Sequence, residues 1–373
     1  MATSKTQVAP LEEEVEGIDA PQSEGWGDYP LDSVFVRSEL RTVGEVISRI
    51  NKNRYIMDPD FQRDFVWAEE KQSKLIESCV MRIPLPVFYV AEAKDGRVIV
   101  VDGLQRLTTF ARFKSGDLKL KGLGSKEKTH PLEGQTYKEL PITLQERVDD
   151  TQLTMYILDS KAPERARLDI FERVNSGVPL TRQQMRNALY NGPATEWLKA
   201  AARTPLFEDV TGGSLSPKTM RDREAINRFC AFSLIGWQRY TGGDMDGHLG
   251  QALDLMNSMK AKQREDLRKD FDRSLLVNKK LFGRHAFRKS LVEAKPTAAR
   301  SIINIALFEV FSVLLSRVHD DRETSGLRAI RKAVASLFED RNFMSYISYS
   351  TNSTIQVRGR FQIAERALRE FLQ

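Results

Sequence analysis

The residues best suited to chemistry are Val98-Ile99-Val100-Val101-Asp102-Gly103-Leu104-Gln105-Arg106-Leu107, an apolar run that delivers an Asp-Gly pair directly into a helical pattern. A helix that starts there offers unpaired backbone N–H groups and the positive end of its dipole, which suits a phosphate. Gly103 allows backbone to approach a ligand closely, and Arg106 could act as a two-pronged cationic clamp. Asp102 could bind a metal or orient a water, and Gln105 could position that water or read a base edge. The same residues have a purely structural reading: Asp102 as N-cap of the helix and Arg106 on its surface.

Two further clusters stand out. Phe61-Gln62-Arg63-Asp64-Phe65-Val66-Trp67 could hold a base or sugar against rings with Arg63 on phosphate, or could anchor a core with its aromatics. Residues 173–187 form a tight helix–loop–helix pattern in which capping explains Asn175, Gly177 and Thr181. Arg182 and Arg186 are one helical turn apart there and could face an anion together.

Elements must position these clusters. Apolar spacing predicts a helix over 69–81, stopped by Pro84 and Pro86, then strands over 87–91 and 97–101 joined by an Asp95-Gly96 hairpin. A helix over 104–113 ends at Gly116, and residues 152–158 alternate as a half-buried strand. Beyond Pro163 helices dominate: 163–174, a helix from Thr181 to Asn191, and then 194–203, 219–239, 248–260, 262–281, 297–318, 325–339 and 360–372. The fold class is therefore α+β, with a flexible acidic leader over 1–30, a small α/β domain over 31–160 and a helical domain over 161–373.

Composition narrows the function. The chain has 373 residues and a formal net charge of +6, ample for two domains. The charge is uneven, since residues 1–30 hold seven carboxylates and one lysine, net −6, which leaves +12 on the rest and permits a polyanionic partner. Cys79 and Cys230 are too few for a disulfide framework, and the four scattered histidines form no zinc motif. Neither a P-loop nor a G-x-G-x-x-G fingerprint is present. No stretch reads as a signal peptide or membrane span, so a soluble, cytoplasmic protein is expected; the apolar run 302–315 is interrupted by Asn304 and Glu309 and reads as a buried helix.

In order and spacing, Gln62-Arg63 with Trp67, Ile83-Pro84-Leu85-Pro86, Val100-Val101-Asp102-Gly103-Leu104-Gln105-Arg106-Leu107 and the run from Asn175 to Asn187 resemble the N-terminal domain family of GmrSD-type restriction endonucleases. The resemblance covers roughly residues 40–190 and continues more faintly through Asp222-Arg223-Glu224. It implies a core similar to the ParB/sulfiredoxin fold, a place in bacterial DNA restriction or antiphage defence, and a nucleotide site at the D-G-Q-Q-R motif. Carried over by position, Asp102, Gln105 and Arg106 are the catalytic candidates. Gln62, Arg63, Gly103, Arg106, Thr108, Asn175 and Arg186 are the nucleotide-binding ones, and Asp102 is the metal ligand.

The ligand implied is a nucleoside triphosphate, ATP or GTP, with Mg²⁺. The partners implied are DNA and a nuclease or other defence subunit, since no histidine-plus-asparagine nuclease motif is visible here. Leu104 departs from the family's first glutamine, so slow or absent hydrolysis is expected. Two other readings stay open at this level: a DNA-binding protein or ParB-like metal-dependent nuclease that uses the same turn, and a catalytically degenerate interaction scaffold.

Overall fold

The computed structural model describes residues 15–18, 36–57, 67–93, 95–124, 128–162, 164–174, 181–292, 298–318 and 324–372. The chain divides into two compact units, one of residues 26–189 and one of residues 1–25 with 190–373.

In the first unit the element order is β1 (Val36–Thr42), α1 (Val43–Asn51), β2 (Tyr55–Ile56), α2 (Glu69–Val80), β3 (Phe88–Glu92), β4 (Val98–Asp102), α3 (Leu104–Ser115), α4 (Ile142–Asp149), β5 (Gln152–Leu158), α5 (Glu164–Val174) and α6 (Arg182–Leu189). The strands form one mixed sheet in the order β1-β5-β3-β4-β2. Its β1–β5 and β3–β4 pairs are antiparallel, and its β3–β5 and β2–β4 pairs are parallel. The Asp95-Gly96 hairpin forms as the dipeptide predicts, with Gly96 at φ +79 and Ala93 N–H donating to the Arg97 carbonyl at 2.9 Å.

One face of the sheet supplies Val90, Val100, Leu153, Met155 and Ile157 to a core completed by Val46 and Ile47 of α1, Ile76 and Cys79 of α2, and Leu107, Phe110 and Phe113 of α3. The i, i+3, i+4 spacing of Val43, Val46 and Ile47 lays α1 on that core, and the Thr42 hydroxyl caps it by accepting from Glu45 N–H at 3.2 Å. The apolar pattern had not singled out β1, α1, β2 or α4. The helices α5 and α6 belong to the sheet's unit, so the unit ends at Leu189 rather than at 160. Helical periodicity says that a helix buries one face, not which element it buries it against.

The second unit is helical: α7 (Pro193–Ala202), α8 (Pro205–Thr211), α9 (Arg221–Leu234), α10 (Met245–Ser258), α11 (Ala261–Phe282), α12 (Ile305–Leu315), α13 (Thr324–Leu337), α14 (Arg341–Ser348) and α15 (Thr354–Leu368). Several ends move from their expected places because of caps. Asn304 accepts from Leu307 N–H at 2.9 Å and starts α12 late, and Ser353 starts α15 early. Every residue of α12 is buried, as the apolar run requires. Its one charge, Glu309, accepts from Arg228 at 2.6 Å and from Arg360, both fully buried. No helix among the described residues is long and apolar enough to cross a membrane.

The flexible leader expected over 1–30 is corrected at residues 15–18, which dock on the helical unit. Glu16 N–H donates to the Ile303 carbonyl at 2.8 Å, and Ile305 N–H donates to the Glu16 carbonyl at 3.0 Å. The Thr351 hydroxyl donates to the Gly17 carbonyl at 2.9 Å, Arg228 reaches the Ile18 carbonyl at 3.3 Å, and Ile18 is buried. A four-residue strap held by backbone hydrogen bonds leaves no periodic signal in an acidic stretch. His248 and His285 are also buried.

Candidate functional site

The Asp102-Gly103 turn is shaped by β4, α3 and the segment that precedes β3. Along β4 the pairing shifts register, because Val90 pairs with Val100 while Tyr89 pairs with Asp102. Val101 is thus the extra residue of a bulge, a device that re-aims the side chain that follows it. Gly103 then adopts φ +102 and ψ 7 as N-cap of α3. A Cβ at Gly103 would lie 2.4 Å from Phe88 Cδ1, so both the backbone conformation and the space require glycine.

The N-terminus of α3 carries no side-chain cap. Asp102 therefore does not cap the helix, as its structural reading supposed. The first-turn amides of Leu104, Gln105 and Arg106 remain the helix's positive end, and the chain turns back to its first intrahelical bond from Leu107 N–H to the Gly103 carbonyl at 2.9 Å.

Arg106 is buried behind this turn rather than displayed on it. Its Nη2 donates to Asp102 Oδ2 at 2.9 Å and to the Val87 carbonyl at 3.0 Å, and its Nη1 donates to the Pro86 carbonyl. The guanidinium stacks 4.1 Å from the Phe88 ring centroid. Burial lowers its pKa, against the upward pull of Asp102. Arg106 thus ties the Asp102 carboxylate to the backbone that leads into β3. The carboxylate is about one-third exposed, and among the described residues Arg106 is its partner through one oxygen.

Gln105 Oε1 accepts from Trp67 N–H at 3.3 Å, and Gln72 Nε2 donates to the Trp67 carbonyl at 2.8 Å. Arg112 of α3 holds Gln72 in turn through Nη1 at 3.0 Å. Trp67 is half-buried against the core, with Lys71 4.3 Å over its ring. Thr108 is half-buried on the second turn of α3. Leu104, at the position where the family's motif has glutamine, packs against the core instead.

Arg186 is buried on α6 and donates to Gln183 Oε1 at 3.3 Å, whereas Arg182 pairs with Asp169 and Glu172 at 3.2 Å each. The two arginines therefore present no common cationic face. Gln62, Arg63 and Asn175 lie outside the described residues. Sequence reasoning missed Phe88 and the Pro86 and Val87 carbonyls, which are brought to Arg106 only by strand pairing.

No group of three or more His, Cys, Asp or Glu gathers among the described residues. Burial pushes the Cys79 thiol up to about 11 and Cys230 higher still, so neither is a ready nucleophile.

Residues 43–191 match the family model described as the GmrSD restriction endonuclease, N-terminal domain. That segment belongs to this family. The match spans the GmrSD N-terminal domain from α1 to the end of α6 and includes the whole Asp102–Arg106 turn. It links the chain to restriction and antiphage defence. No curated protein and no solved structure matches the chain.

Proposed function

We propose that the GmrSD N-terminal domain binds a nucleoside triphosphate at the Asp102-Gly103 turn and serves as the nucleotide-responsive part of a DNA restriction or antiphage system. The observation that supports this most is the bulge-and-glycine turn, which sets a partly exposed carboxylate beside the first turn of a helix whose N-cap glycine supplies no side-chain cap. Helix N-terminal amides donate to phosphate oxygens, and Gly103 keeps side-chain bulk out of the approach.

A single carboxylate suits Mg²⁺ that arrives on the nucleotide, because Mg²⁺ keeps most of its shell as phosphate and water oxygens. Asp102 would hold that ion through the oxygen not shared with Arg106. When bound, the ion would neutralise charge on the transferring phosphoryl group.

Arg106 acts here as a positioning residue that orients Asp102. Gln105, with its carbonyl oxygen on Trp67, holds the chain leading into α2 against α3. Leu104 supplies no side-chain amide to a water or phosphate, so binding with slow hydrolysis fits this turn better than fast turnover. ATP and GTP are both candidates, and DNA and a nuclease subunit are the partners that would read the bound state.

The test is calorimetric titration of ATP and GTP with Mg²⁺ into the full chain, together with phosphate release. Wild type should bind at least one triphosphate and turn it over slowly, and Asp102→Ala should abolish both. A chain that binds neither nucleotide would overturn the reading.

A further inference from the structure

Strand register places four residues in one row across the sheet, one from each of four adjacent strands. Ser38 of β1 pairs with Tyr156 of β5, Tyr156 pairs with Tyr89 of β3, and Tyr89 pairs with Asp102 of β4. Residues paired in this way share a face of the sheet. The bulge at Val101 is what admits Asp102 to the row. With unbroken alternation Asp102 would share the face of Val98 and Val100, which point into the core.

The two tyrosine rings in this row lie 5.4 Å apart at 37° and are half-exposed. Ser38 beside them is exposed, and Leu40, two residues on along β1, is 66% exposed. The surface beside the Asp102-Gly103 turn is therefore aromatic, partly accessible and built on strands rather than on a loop. Half-exposed rings on a sheet serve as stacking surfaces for bases, because every base has a π-face. Asp102 and Tyr156 are two strand spacings apart, about 10 Å, a separation that lets one mononucleotide lie with phosphates at the turn and base over the rings.

We infer that Tyr89 and Tyr156 form the base-stacking subsite of the nucleotide held at the Asp102-Gly103 turn. This rests on the nucleotide reading given above and adds to it the part of the ligand that the turn cannot recognise. Stacking is tolerant of base identity, so the subsite favours nucleotides over bare polyphosphate without choosing strongly between ATP and GTP.

The experiment is titration of ATP, GTP and inorganic tripolyphosphate, each with Mg²⁺, into the full chain and into four variants: Tyr89→Leu, Tyr156→Leu, Tyr89→Phe and Tyr156→Phe. Wild type should bind the nucleotides roughly tenfold or more tightly than tripolyphosphate. Each leucine variant should lose that margin while keeping its tripolyphosphate affinity, and each phenylalanine variant, which keeps the ring, should retain it. Thermal melts of all five proteins check that the sheet is intact.

Leucine variants that bind ATP and GTP as wild type does would overturn the subsite and leave the nucleotide reading standing. So would equal wild-type affinity for tripolyphosphate and nucleotide. A wild type that binds none of the three removes both. Leucine variants that keep ATP and GTP binding but lose a single-stranded oligonucleotide would reassign the rings to a nucleic acid strand.

Discussion

The two ends of α3 provide a controlled comparison, because each is capped by a glycine of nearly the same backbone conformation. Gly103 has φ +102 and ψ 7, and Gly116 has φ +92 and ψ 6. Their surroundings differ. A Cβ on Gly116 would meet nothing within 4 Å, whereas one on Gly103 would sit 2.4 and 2.9 Å from Phe88 Cδ1 and Cε1. Phe88 is fully buried with Arg106 stacked on it, so its ring cannot swing aside freely.

Gly116→Ala should therefore cost only the backbone strain of a non-glycine residue at positive φ, about 1–3 kcal/mol. Gly103→Ala should carry that strain plus a core clash of about 1–3 kcal/mol. The difference between the two variants isolates the Phe88 contact. Adding Phe88→Leu to Gly103→Ala should recover part of that difference. Urea unfolding followed by far-UV circular dichroism measures all of these, and nucleotide titration of Gly103→Ala should show weakened binding. Costs for the two alanine variants that agree within about 0.5 kcal/mol would refute the argument that Phe88 dictates the turn.

Other expectations bear on the helical unit. Glu309→Gln leaves Arg360 buried without its carboxylate and Arg228 with Glu224 alone, and should destabilise by about 3–5 kcal/mol in urea unfolding; a loss below 1 kcal/mol would deny the network its role. Ile18→Ala should cost about 2–5 kcal/mol if the strap is a true part of that unit, and a neutral result would return residues 15–18 to the status of a tail. pH should act through two buried groups of opposite sign. Burial holds His248 down at about 4 instead of 6.5, so its contribution is complete above about 6.5 and is lost as pH falls toward 4. Burial pushes Asp222 up to about 6 from 3.8, so its contribution is present below about 3.8 and lost as pH rises through 6. Across pH 4–6.5 His248→Gln should flatten the acid-side loss and Asp222→Asn should steepen the rise of stability with pH; unchanged urea midpoints in either variant would count against its term.

The local grammar of the site was legible in sequence. The Asp95-Gly96 hairpin, the valine-rich β4, the helix after Gly103 and its glycine stop at Gly116 are all set by near neighbours. Elements escaped notice where the signal was short or one-sided. β2 is two residues long, and β1 alternates charged side chains, Arg37, Glu39 and Arg41, opposite the buried Ile157, Met155 and Leu153 of β5. A sheet-edge strand whose charges share the core face does not look like a half-buried strand. Helix ends at Asn304 and Ser353 moved because one cap outweighs several residues of weak periodicity.

By itself the sequence determined the fold class and the local form of the Asp102-Gly103 turn, a strand delivered through glycine into a helix. These depend on hydrophobic period, glycine and local capping, all of which act over a few residues. Tertiary structure alone decided where the side chains of that turn lie. Arg106, which the motif presents as a phosphate clamp, is turned inward by carbonyls twenty residues upstream and by the Phe88 ring. Tyr89 and Tyr156 come beside Asp102 because β5 pairs with β3 and a bulge shifts β4 by one residue. Strand register is a long-range choice made by the whole core, and no window of sequence contains it.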